Sequence, residues 1–221
     1  MLDNLKICIV FNSGACGDFL AQLIYSQFNN NDITIEDTGA ATNFLSEDFK
    51  TACQLYYENN FDETYFNSVD KDIIIGNTHY CYKQLIDLFP KCQFYYIDDS
   101  NHIDTTIKYY TKKRLSNDPL GYIEIKSPLR NTNLKDKNIP RDLILQIMTS
   151  EWKSQLLSWE NLGMKSVPLE HVVDKTYCRL FIKSIVKSIY NEDVFNTMFD
   201  KWADKNIELI QSVLTKNYAK L

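Results

Sequence analysis

Apolar positions in this chain fall into two rhythms, and the first change between them is the sharpest. Ile7, Cys8, Ile9, Val10 and Phe11 form an unbroken apolar run, the pattern of a strand covered on both faces. The run stops at Asn12-Ser13-Gly14-Ala15-Cys16-Gly17-Asp18, after which Phe19, Leu20, Leu23 and Ile24 recur at helical spacing. Strand, glycine-containing turn and helix is the geometry in which main-chain N–H groups at a helix start cradle a phosphate or sulfate.

The same alternation continues. A strand is predicted at 33–35, and a helix capped by Ser46 is predicted to run to about residue 58. Residues 72–76 read as a buried strand with Asn77-Thr78-His79 at its carboxyl end, and 82–88 as a helix stopped by Pro90. Residues 92–97 form the next strand, Asp98-Asp99 end it, and Asp104 opens a helix to about 113. Residues 116–138 are polar and aperiodic, which predicts a surface excursion or lid. Pro140 starts a helix that ends at Gly163, residues 166–170 form a last strand, and Asp174 and Asp193 each begin a helix. Strands alternating with helices predict one α/β domain over 1–221: a three-layer sandwich whose central, mostly parallel sheet is flanked by helices.

Composition narrows the function. Hydrophobic residues make up 44% of the 221-residue chain, a value that implies a packed core. A net charge of −5 leaves no basic footprint for nucleic acid. No apolar run reaches bilayer length and the first residues lack a charged-then-apolar leader, so a cytoplasmic protein without a membrane partner is expected. The six scattered cysteines contain no C-x-x-C pair, and reduced, structural thiols are expected, with no metal site. Cys16 lies in the turn, where a thiol is either a small residue that lets the backbone close or a nucleophile with a lowered pKa.

Three motifs resemble the sulfotransferases, P-loop-like α/β enzymes that move a sulfuryl group from 3'-phosphoadenosine-5'-phosphosulfate to a hydroxyl or amine. The 7–23 segment is similar to their phosphosulfate loop, Pro-Lys-Ser-Gly-Thr-Thr-Trp-Leu: Ser13-Gly14 and Phe19-Leu20 match its two ends, with two extra residues between. Ile73-Ile74-Ile75-Gly76-Asn77-Thr78-His79-Tyr80 resembles the strand ending in Lys-Thr-His-Leu-Pro. Residues 94–110 align with the segment around Arg-Asn-Pro-Lys-Asp-x-x-x-Ser-Tyr-Tyr, with Asn101, Asp104, Tyr109 and Tyr110 in register. The Val167-Pro168-Leu169-Glu170 stretch is similar to the family's Ile-x-Tyr-Glu strand end.

The resemblance implies a donor site made of Asn12, Ser13, Gly14, Ala15, Cys16, Gly17 and Asp18 around the 5' end. Thr78 is its neighbour, and Ser100 and Lys108 flank the 3'-phosphate of 3'-phosphoadenosine-5'-phosphosulfate or adenosine 3',5'-bisphosphate. His79 is the implied general base toward a small-molecule or carbohydrate acceptor, an imidazole being suited to proton transfer near neutrality. A hydrogen-bonded histidine at a strand end is the plainer use. Three departures stand out: Asn12 replaces the loop lysine, Ser100 the 3'-phosphate arginine, and Lys108 its serine partner. Two other classes therefore remain, a non-catalytic interaction or structural protein, for instance of a virus, and an atypical phosphotransferase with Asp98 or Asp99 holding Mg²⁺. His102 and His171 lie in plausible turns, and Lys112-Lys113-Arg114 offset a helix dipole or steer an anion.

Overall fold

The structure is a computed structural model that describes residues 5–29, 35, 73–78, 83–88, 92–114 and 140–218. The helix expected at 46–58, the 116–138 excursion and His79 lie outside them, as does the 33–35 strand except for Ile35.

Strand β1 (Leu5–Val10) leads through the turn into helix α1 (Gly17–Asn29). Strand β2 (Ile73–Thr78), helix α2 (Lys83–Leu88), strand β3 (Gln93–Asp98) and helix α3 (Ile103–Arg114) follow. Helix α4 (Arg141–Asn161) leads to strand β4 (Lys165–Pro168) and a short helix α5 (Leu169–Val173). Helices α6 (Lys175–Val186), α7 (Glu192–Lys205) and α8 (Ile207–Tyr218) complete the described chain.

The four strands form a parallel sheet in the order β2-β1-β3-β4. The chain leaves β1 toward one side to make β2 and returns to the other side to make β3. The crevice between the carboxyl ends of β1 and β3 is therefore a topological switch point, where ligands bind in open sheets of this kind. Thr78 is level with Val10 across the β1–β2 pair, so β2 ends beside the strand that enters the turn.

Alternation along the strands sends side chains to two covered faces. Ile7, Ile9 and Ile97 join the core with α1, α6 and α7, in which Phe19 stacks on Trp202 at 4.0 Å between ring centroids. On the other face Tyr96 meets Trp159 and, beyond it, Tyr110 of α3 meets Trp152 of α4. Helices thus cover both sides of the sheet.

Local chemistry explains most of the boundaries. Asp174 Oδ1 accepts from the N–H groups of Thr176 and Tyr177 at 2.8 and 3.1 Å, as expected of an N-cap. The next cap is Asn191 rather than Asp193: its Oδ1 accepts from Asp193 and Val194, and Asp193 falls inside the first turn of α7. The apolar positions from Val194 to Val213, which the sequence pattern assigns to one helix beginning at Asp193, are carried by two helices. The break falls at buried Asn206, whose side chain donates to Trp202 O and accepts from Tyr109 OH. The 166–170 strand stops at Pro168, because Leu169 and Glu170 already wind into α5.

Candidate functional site

The turn after β1 closes with Ala15 N–H donating to Asn12 O at 3.0 Å, and α1 begins with Leu20 N–H donating to Cys16 O at 3.1 Å. Gly14 and Cys16 both have positive φ, +87° and +63°. For a residue with a Cβ this is a left-handed conformation costing about 1–2 kcal/mol, and it persists only where the surroundings hold it. Alternating right- and left-handed residues are the backbone pattern of anion-binding nests, although here Ala15 N–H is already used within the turn.

Each glycine of the turn has a steric reason. A Cβ at Gly14 would lie 2.8 Å from Thr106 O and 3.1 Å from Tyr110 Cβ, so the loop sits directly on α3. A Cβ at Gly17 would fall 1.9 Å from the Phe11 ring. Both glycines are therefore required by protein contacts.

A buried polar tie joins the two strands at the switch point. Asn12 Nδ2 donates to Asp99 Oδ1 at 2.9 Å, and Thr106 Oγ1 donates to Asp99 Oδ2 at 2.7 Å. Asn12, Asp99 and Thr106 are all fully buried. Burial raises the Asp99 carboxyl from 3.8 to about 6, against the opposing effect of its Thr106 and Asn12 hydrogen bonds. Asp98 Oδ1 accepts from Ser100 N–H at 3.0 Å. The oxygens of Asp99 that a magnesium ion would need are thus committed to protein donors. Among the described residues no group of three or more His, Cys, Asp or Glu side chains is placed to hold a metal.

Desolvation pushes the Cys16 thiol far above its ordinary range, and the carboxylates of Asp18 and Asp99 push it further. A thiol so held is protonated at neutral pH and is not an activated nucleophile. Cys8, Cys16, Cys92 and Cys178 form no disulfide with one another.

The structure brings together Asn12, Ser13, Gly14, Ala15, Cys16, Gly17 and Asp18, with Thr78 at the adjoining strand end. Ser100 is exposed in the turn that follows β3. Lys108 is placed differently. Thr106 and Tyr110 face the turn, and a residue two positions from each lies on the opposite side of a helix with 3.6 residues per turn. Lys108 accordingly borders cavities on the far side of α3, toward α8 and α4.

A second pair stands at the same edge of the sheet. His102 Nε2 lies 2.8 Å from Glu170 Oε1, with His102 buried at the start of α3 and Glu170 just beyond β4. The carboxylate favours the tautomer with the proton on Nε2, which leaves buried Nδ1 without a hydrogen-bond partner. Sequence reasoning gave Asp99, Thr106 and Glu170 no such roles. Only the polar residues closing two apolar strands hinted at them, and the pairing across the sheet is what decides.

No family model, curated protein or solved structure matches this chain.

Proposed function

We propose that the protein is a sulfotransferase-like member of the P-loop-like α/β class. Its 12–18 turn would hold the sulfated or phosphorylated 5' end of an adenosine 3',5'-bisphosphate nucleotide. The observation that carries the reading is the pair of positive φ values at Gly14 and Cys16, placed where β1 meets the switch point of a parallel sheet. Main-chain N–H groups supply the attraction there, in place of the missing lysine.

On this reading the donor provides an activated sulfuryl group. The acceptor oxygen bonds to sulfur as the S–O bond to the 5'-phosphate breaks and adenosine 3',5'-bisphosphate leaves; His79, next after Thr78, takes the hydroxyl proton, and the turn N–H groups stabilise charge on the transferring oxygens. Ser100 is the residue near the 3'-phosphate. Lys108 is left out because of the face it occupies.

Asp18 opposes an anion from the second position of α1. Replacing it by asparagine should tighten adenosine 3',5'-bisphosphate binding several-fold in a calorimetric titration. An unchanged or weaker affinity would remove the turn from the binding site.

A second reading, a non-catalytic protein on the same scaffold, is favoured by one observation: Asn12, at the place of the lysine, is wholly buried and bonded to Asp99. Titration with the bisphosphate, and with ATP plus Mg²⁺, separates the readings. Heat with the bisphosphate alone supports the first, silence with both the second, and Mg²⁺-dependent ATP binding an atypical phosphotransferase.

A further inference from the structure

Asp99 is a buried carboxylate whose bonding partners are all neutral. Its two oxygens accept from the Asn12 amide and the Thr106 hydroxyl. Among the described residues no cation acts on it; the one charge that does is Asp98, of the same sign. A buried ion without a counter-ion is costly to hold, and a proton relieves it.

The contacts also show how that proton is accommodated. Thr106 Oγ1 lies 2.7 Å from Asp99 Oδ2 and 3.0 Å from Ile103 O. With the proton on Oδ2 the hydroxyl turns, accepting from Asp99 and donating to Ile103 O, while Asn12 Nδ2 keeps its acceptor on Oδ1. Both ionisation states therefore fit the same set of hydrogen bonds. What changes is the charge beneath the turn, not its shape.

That charge lies close to the loop. Asn12 opens the turn and Thr106 O packs against Gly14. The carboxylate acts electrostatically on Cys16, within the turn. Asn12, Ser13, Ala15 and Thr106 are buried, so solvent and salt screen the field weakly there. The other titratable groups around Asp99 are Asp18 at the start of α1 and the Cys16 and Cys178 thiols, both protonated at neutral pH. On α3 the nearest is His102, whose imidazole is held by Glu170 of α5.

We infer that Asp99 couples anion binding at the turn to the uptake of a proton: the neutral carboxyl admits the anion and the ionised one repels it. The inference rests on the reading of 12–18 as the anion site and adds its control. Burial pushes the carboxyl up to about 6. Affinity is therefore highest below that pH, falls as pH rises through it, and levels off about one pH unit higher, where the bound protein also loses the proton.

Calorimetric titration of the full chain with adenosine 3',5'-bisphosphate from pH 5 to pH 8 tests it, beside Asp99→Asn, which fixes the neutral state. Both proteins meet the same titration of the ligand's phosphates, so the ratio of their affinities isolates Asp99. The wild type should bind as the variant does at pH 5 and about tenfold more weakly at pH 8, the effect of two like charges separated by the thickness of a loop. Glu170→Gln should keep the full dependence, which sets the His102 pair aside. NMR of the Asp99 carboxyl carbon reads the same coupling in the wild type alone: its titration midpoint should rise by about one pH unit in saturating bisphosphate. An affinity ratio constant with pH, a midpoint unmoved by bound ligand, or a dependence abolished by Glu170→Gln would overturn the coupling and leave the nucleotide reading standing. Absence of binding at pH 5 and pH 8 in both proteins would remove that reading, and the coupling with it.

Discussion

Exchanging Asp99 for asparagine (D99N) removes one buried charge while keeping its shape. Both oxygens of Asp99 accept hydrogen bonds, from Asn12 Nδ2 and Thr106 Oγ1. The amide introduced by D99N can still accept from Asn12. Its N–H donates to the Thr106 hydroxyl, which keeps Ile103 O as an acceptor at 3.0 Å. The two proteins therefore differ mainly in ionisation. The folded-state value of Asp99 is raised from 3.8 to about 6, so between these pH values the folded protein binds more protons than the unfolded chain. By linkage, stability falls as pH rises through that window, then stays level. The difference corresponds to about 3 kcal/mol at full extent, a large part of the usual stability of a domain. Urea unfolding from pH 4 to pH 8, with D99N as reference, reads it directly. The stability of the wild type minus that of D99N should decline by roughly 2–3 kcal/mol between pH 4 and pH 7. A flat or rising difference would refute the reasoning, because the carboxylate would then be no less stable in the fold than in water.

Other outcomes follow from single contacts. Gly14→Ala should lower stability by about 1–3 kcal/mol, since the new methyl meets Thr106 O at 2.8 Å in a left-handed conformation; an unchanged thermal midpoint would show that the loop does not rest on α3. Asp174→Ala should cost about 1 kcal/mol in chemical denaturation by freeing two N–H groups at the start of α6. Glu170→Ala leaves both ring nitrogens of buried His102 unpaired and should cost about 1–3 kcal/mol, with Glu170→Gln recovering part of it.

Local chemistry made the frame readable. The apolar run at 7–11 and the turn after it announced β1 and α1, and the capping acid at 174 marked the start of α6. What escaped was set by partners distant in sequence. Asn206 breaks the last helix because its side chain serves Trp202 and Tyr109, and no propensity at 206 shows that Tyr109 will be there. From sequence Asp99 reads first as a helix-entry cap and only second as a magnesium ligand; that Asn12, from beyond another strand, occupies one of its oxygens is visible only in the fold. The face of Lys108 followed from helical spacing only once the turn was seen to rest on Thr106 and Tyr110.

The position of β1 inside the sheet, not at its rim, has a consequence for biosynthesis. This segment is made before both of its neighbours, which are supplied from residue 73 onward. Until they emerge its amides and carbonyls lack these two partners, and the nascent polypeptide carries an apolar segment without its place in the sheet. Non-local parallel pairing of this kind is slow to form, so closure of the sheet around β1 is a late event in folding.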